Sequence, residues 1–208
     1  MLAAMDDAKK VRDFWFGKSP LAADQLPRRM ELWFANAPEL QRTVDDALRI
    51  RFGPLVERAL KGELAQWADG PRRRLSLILL LDQFPRNIHR GTEHAFEGDA
   101  QALQLTLTGM QSAADAALNP VERIFFYMPL QHSESLEVQD ESVAAYKRLA
   151  GDAPETIRAV FNGCLGFAER HREVIRRFHR FPHRNALLGR LNTAEEEAYL
   201  REGGETFS

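Results

Sequence analysis

A chain of 208 residues that is 44% apolar and 28% charged can bury a sizeable core in one domain. Its formal net charge of −2 excludes a chain built as a whole to coat nucleic acid. Its one cysteine, Cys164, excludes an internal disulfide, fits a reducing compartment and sits among apolar residues as a small core side chain.

The hydrophobic period is helical along the whole chain, with no sustained strand alternation. A first helix is predicted from Asp6 to Phe16, with Asp6 and Asp7 at its positive end and Gly17 as its stop. A short helix covers Arg28–Phe34. The next begins near Asn36-Ala37-Pro38 and runs to Phe52, followed by Pro54–Leu60. Pro71 opens a helix through Phe84, which Pro85 ends or kinks. Helix follows from Gly98 to Met110. Asn119-Pro120-Val121-Glu122 starts another that Pro129 stops after Met128. Ser133, as a cap with Glu134 in the first turn, opens a helix to Ala150. Asp152-Ala153-Pro154-Glu155 opens a long one to Phe178, and Thr193 with Glu196 forms a capping box for the last. The expectation is an all-α protein, about nine helices in antiparallel hairpins, as a single all-helical domain over residues 1–208. The run LSLILLL at 75–81 is too short to span a bilayer, and the N-terminus lacks the apolar stretch of a signal peptide. The chain therefore reads as cytoplasmic, with no membrane partner.

One phrase occurs twice. Residues 84–92 read FPRNIHRGT and residues 181–193 read FPHRNALLGRLNT. Both hold Phe-Pro, then Arg and Asn, then Arg near Gly, then Thr, and both follow an apolar helical stretch. Residues 166–192 carry seven arginines against Glu169 and Glu173, a segment charge of +5 (7 − 2). Three readings follow: a small anionic ligand, an acidic partner surface, or internal salt bridging. Under the first, Arg86, Arg90, Arg184, Arg190 and Asn185 bind the anion. Under the last, the arginines cap helix ends and pair with Asp82, Glu122, Glu134 or Glu137. The two phrases are expected to approach each other in space.

Several polar residues fall on apolar stripes. Stepping along the helices lands on Asp82, His132, Gln139 and His171, each of which then needs a partner. Asp82 is expected to take a charge-assisted bond from Arg184 or Arg180, and His132 to lie near His171 in a network with Gln139 or Glu134. His132 and His183 are the candidate acid–base groups. His132, Glu134, His171, His179 and His183 are the potential metal ligands. Without an HExxH, a cysteine pair or an Asp-rich loop, the prediction is no metal and no cofactor. The chain also lacks a GxSxG elbow, a Walker loop and a GxGxxG, and no RNP, KH or helix-turn-helix pattern suggests nucleic acid.

LDQFPRN at 81–87 with RGT at 90–92, MPLQHSE at 128–134 with Gln139, RFPHRN at 180–185 with LGRLNT at 188–193, and DFWFG at 13–17 form a set. Together they resemble the bacterial family known as domain of unknown function 924, over nearly the whole chain. The resemblance implies a tetratricopeptide-like, right-handed helical array and implies no activity. That family commonly has Gly where this chain has His179. Two functions stay open: an enzyme or small-ligand protein with an anion on Arg86, Arg90 and Arg184, or a helical scaffold for a peptide or protein partner. Oligomeric state is not legible.

Overall fold

A computed structural model of the chain describes residues 2–17, 25–34 and 37–207. Among the described residues there are helices and turns and no strand. The α-helices are α1 (Leu2–Phe16), α2 (Leu26–Trp33), α3 (Pro38–Leu60), α4 (Pro71–Ile78), α5 (Phe84–Ile88), α6 (Asp99–Gln111), α7 (Pro120–Gln131), α8 (Leu136–Asp152), α9 (Arg158–Phe178) and α10 (Ala194–Arg201). The chain divides into two compact units. One comprises Met1–Arg90 with His94–Phe126, and the other Gly91–Glu93 with Tyr127–Ser208.

Capping and breaker logic explains most boundaries. Asn119 and Glu122 cap α7 reciprocally, each side chain taking the other's backbone N–H at 3.0 Å. Thr193 and Glu196 form the capping box of α10. Gly17 ends α1 with φ +83, its N–H bonded to the Asp13 carbonyl. Ser135, two residues later than expected, is the N-cap of α8. The expected start of α3 at Asn36 lies outside the described residues; the helix itself begins at Pro38. α1 begins at Leu2, earlier than its acidic pair suggested.

Helical structure continues past three prolines: Pro54 and Pro129, expected to separate or stop helices, and Pro85, expected to end or kink one. α3 runs through Pro54 and α7 through Pro129. The most informative is Pro85. Between α4 and α5 the backbone widens into a π turn, Leu79–Gln83, where the Phe84 N–H bonds the Leu79 carbonyl five residues back. The missing N–H of Pro85 is absorbed by this widened turn instead of ending the helix. Side chains from the phrase then take up neighbouring carbonyls. Arg86 donates to the Asp82 carbonyl at 2.8 Å and Asn87 to the Gln83 carbonyl at 2.9 Å. Gly98 packs against the Leu81 carbonyl, where a Cβ would overlap the oxygen.

The N-terminal unit buries an aromatic core. Trp15 and Phe16 of the DFWFG phrase meet Phe125, Trp15 also meets Phe84, and Phe84 meets Phe52, with centroids 5.3–5.5 Å apart. In the C-terminal unit α8 and α9 are antiparallel neighbours. Arg172 of α9 pairs with Asp140 near the start of α8, far along both helices from the short 153–157 connection. Their shared seam holds Tyr146, Leu149, Phe161, Cys164, Ala168 and Ile175. Cys164 is buried there, and desolvation pushes its thiol up to about 12, so it serves as an inert core residue.

Candidate functional site

The first phrase belongs to the N-terminal unit up to Arg90. Asp82 is fully buried on the π turn and receives the Gln83 amide at 2.6 Å and Arg86 at 3.2 Å. Arg86 forks onto Asp99 with bonds of 2.7 and 2.9 Å. Burial alone would lower the Arg86 pKa, yet Asp82 and Asp99 hold it above its ordinary value. Arg90 forks onto the buried Asp45 at 2.9 and 3.1 Å and also donates to Asn87. Both candidate anion ligands of this phrase already grip carboxylates within their own unit. Asp45 and Asp99 were missed in the sequence because they lie 45 and 13 positions away from the arginines they hold.

The second phrase belongs to the C-terminal unit. Glu134 is its anchor. It accepts both arms of Arg190, at 2.7 and 2.9 Å, and the backbone N–H of Phe181 at 2.8 Å. Partial burial opposes ionisation, but those bonds prevail and keep its carboxyl below the usual range. Arg180 forks onto the buried Glu196 at 2.5 and 2.6 Å and drops that carboxyl to about 2. Asn185 is fully buried and donates to Asn192 at 2.8 Å. Arg184, also buried, donates to the His132 carbonyl at 3.1 Å and lies 4.4 Å over the Phe181 ring.

The seven arginines of 166–192 are thus mostly spoken for. Arg170 pairs with Glu205, Arg172 with Asp140, Arg176 with Glu173, Arg177 with Glu195, Arg180 with Glu196 and Arg190 with Glu134. Six of the seven arginines thus form ion pairs within the chain, and Arg170, Arg172, Arg176 and Arg177 keep partly exposed side chains.

The imidazoles converge. The His132 and His171 rings lie 6.3 Å apart, and Phe181 approaches both His171 and His183, at 5.7 and 5.6 Å. His171 bonds the Phe167 carbonyl at 2.8 Å through Nδ1. Burial, reinforced by the His132 imidazole, holds His171 near pKa 3; burial and the neighbouring Arg184 charge hold His183 near 4. Both are neutral at pH 7. The Nδ1 of His183 and the Oε1 of Gln139 are buried with no hydrogen-bond partner. The Gln139 amide nitrogen ties down the end of α7, donating to the carbonyls of Gln131 at 2.6 Å and Ser133 at 2.7 Å. Ser133 is not a helix cap; its hydroxyl accepts from the Ser135 N–H. No group of three or more metal-ligating side chains occurs among the described residues. His179 stands apart as the residue that caps the C-terminus of α9, with φ +59.

One element of this site was not legible in the motifs. The segment after α10 folds back, and the Phe207 ring lies over His171 with centroids 3.5 Å apart. The available signal was the pair Gly203-Gly204 directly after a capped helix, a turn-forming sequence.

Residues 11–204 match the family model described as a bacterial protein of unknown function, DUF924. The chain belongs to this family. A solved structure of an Agrobacterium tumefaciens protein of unknown function is similar to it, with 32% identity and a TM-score of 0.79. That similarity covers 96% of this chain and 99% of the other. No functionally curated protein matches the chain. The DUF924 resemblance read from the phrases is therefore shown, as is the all-α class. No described helix is long and apolar enough to cross a membrane.

Proposed function

We propose that this DUF924 chain is a helical scaffold for a peptide or protein partner, with a cytoplasmic location and tetratricopeptide-like stacking, and that its arginine phrases are internal clamps. The supporting observation is the pairing of Arg86 with Asp99, Arg90 with Asp45 and Arg190 with Glu134, each through two bonds. In each pair a two-pronged face of the guanidinium is filled by a carboxylate, and a second anion could take that face only by displacement. A ligand anion would have to displace the carboxylate and strand its charge in a partly buried place. The test is a thermal-melt series in phosphate, sulfate, citrate and other carboxylates. The scaffold reading expects no stabilisation that grows with anion concentration, together with early melting of Arg190→Ala. Stabilisation rising as RT ln(1 + [L]/Kd), abolished in a variant that still folds normally, overturns it.

A second reading keeps a small-molecule site at His132, His183, Arg184 and Asn185, with His132 or His183 as the acid–base group. It is favoured by the buried, unpartnered Nδ1 of His183, a neutral imidazole nitrogen with hydrogen-bonding capacity unused by the protein. The same series tests it with neutral polar metabolites as well as anions. A His183→Phe variant that melts like the parent but loses a compound's stabilising effect supports it. An unresponsive parent removes it.

A further inference from the structure

The C-terminal segment is held differently from the rest of its unit. α10 ends in a paired C-terminal turn, with the Gly203 N–H bonded to the Leu200 carbonyl and the Gly204 N–H to the Tyr199 carbonyl. Gly203 supplies φ +79, and a Cβ on Gly204 would fall 2.5 Å from the Tyr199 ring. The two glycines turn the chain back along α9. Beyond Gly204 no backbone N–H or carbonyl of the described tail joins a backbone hydrogen bond. What holds it is side-chain chemistry. Glu205 pairs with Arg170 at 3.0 Å, in a half-exposed bridge, and its carbonyl takes a long 3.4 Å bond from the Tyr199 hydroxyl. Two residues on, Phe207 stacks on His171 within 20° of parallel and meets Phe181 and His183 edge-on at 5.9 and 6.0 Å.

This is the form of a short linear motif seated in a receptor. One cation reads an acid, and a three-ring slot reads an aromatic side chain two residues later. The floor is preformed by the folded body: Phe181 is fixed by Glu134 through its N–H, and His171 by the Phe167 carbonyl. Neutral imidazoles suit a neutral aromatic guest, and His183 holds an unused Nδ1 for a hydrogen-bonding group arriving with it. A segment with no regular secondary structure, bound by few backbone bonds, exchanges easily with another of the same pattern.

We propose that Arg170 and the His171–Phe181–His183 slot form a docking site for peptide segments of the pattern Glu-X-Phe, which residues 205–207 occupy in cis. The proposal names a partner class for the scaffold reading and rests on it. A partner segment binds by displacing the tail, so the site reads as closed in the isolated chain.

The experiment uses Phe207→Ala in the full chain and a fluorescein-labelled peptide of the sequence at 201–207, Arg-Glu-Gly-Gly-Glu-Thr-Phe, followed by fluorescence anisotropy. The variant, with its slot vacated, is expected to bind the peptide at least ten-fold more tightly than the parent. Replacing the peptide's Phe by Ala, or its second Glu by Gln, is expected to weaken binding at least ten-fold and several-fold respectively. A variant with parent-like helical circular dichroism that binds no peptide, or binds both control peptides equally well, overturns the proposal. If Phe207→Ala fails to fold, Gly204→Ala takes its place: the added methyl meets the Tyr199 ring and dislodges the tail while leaving the slot intact. It must show the same gain in peptide affinity, and a folded Gly204→Ala without that gain overturns the proposal equally. Failure here alongside anion-insensitive melting removes this groove and leaves the scaffold reading standing. Anion-stabilised melting removes the scaffold reading itself.

Discussion

Phe207 lies flat over His171, ring centroids 3.5 Å apart, on the side of the unit where His132 and His183 also gather. A neutral imidazole stacks with a phenyl ring at no electrostatic cost, whereas a buried imidazolium facing Arg184 and His183 is strongly disfavoured. The arrangement therefore ties the C-terminal unit to pH.

The folded-state values near 3 for His171 and near 4 for His183 lie below the ~6.5 of an unfolded chain. Both groups favour the fold fully above pH ~6.5, and that contribution is lost as pH falls from there toward 4 for His183 and toward 3 for His171, because the unfolded state binds more protons. Each imidazole adds a slope of about 1.4 kcal/mol per pH unit in this window. Glu134, the acid facing His183, is itself held below the usual carboxylate range by its Arg190 and Phe181 bonds, and its charge only partly offsets the effect of burial on His183. Urea midpoints measured from pH 8 to 5 should fall steadily below 6.5. A flat profile between 7 and 5 contradicts the burial of these rings, and His171→Phe should flatten the parent's slope.

Glu134→Gln should cost about 1–3 kcal/mol. The amide retains one acceptor for the Phe181 N–H but withdraws the counter-charge from Arg190. The pair is about a quarter exposed on each side, so the loss stays below the 3–5 kcal/mol typical of a fully buried one. Arg190→Lys should lose a similar amount, since an ammonium cannot make the two-pronged contact. Equilibrium denaturation decides: losses under about 0.5 kcal/mol for both would class the contact as an ordinary surface pair.

Gly98→Ala and Gly163→Ala should move stability in opposite directions. At Gly98 the new methyl overlaps the Leu81 carbonyl of the π turn, and backbone cannot give way cheaply. A loss of about 2–4 kcal/mol is expected, in the range of serious overpacking. Gly163 sits on the exposed face of α9 with nothing within 4 Å, so Ala there should add about 0.5–1 kcal/mol through helix propensity. Thermal melts of the two variants side by side test the account, and a neutral Gly98→Ala sinks it.

His179→Gly should raise stability by about 1 kcal/mol. His179 ends α9 in the left-handed region, at φ +59, a conformation that favours glycine at a helix C-terminus. Its N–H bond to the Ile175 carbonyl needs no side chain. A melting temperature that falls on substitution would instead assign the imidazole a contact of its own.

Local chemistry made much of this protein readable in one dimension. The Asn119–Glu122 and Thr193–Glu196 caps, Gly17 as a stop and the buried stripe through Gln139 and His171 all follow from interactions within one or two helical turns. A sequence shows those spacings directly, and the phrases themselves carried the family. What only the tertiary structure decided were choices among distant partners. Asp45 for Arg90 and Glu134 for Arg190 lie 45 and 56 positions away, and nothing local distinguishes these carboxylates from others on the chain. Pro85 behaves as part of a continuous helix because a π turn widens ahead of it and because Gly98 leaves room at the Leu81 carbonyl, a fit between separate segments. Phe207 reaches His171 because Gly203 and Gly204 reverse the chain after α10. A sequence specifies which groups must be satisfied; the packed fold selects which partner satisfies each, since charge pairing and ring stacking depend on distance in space.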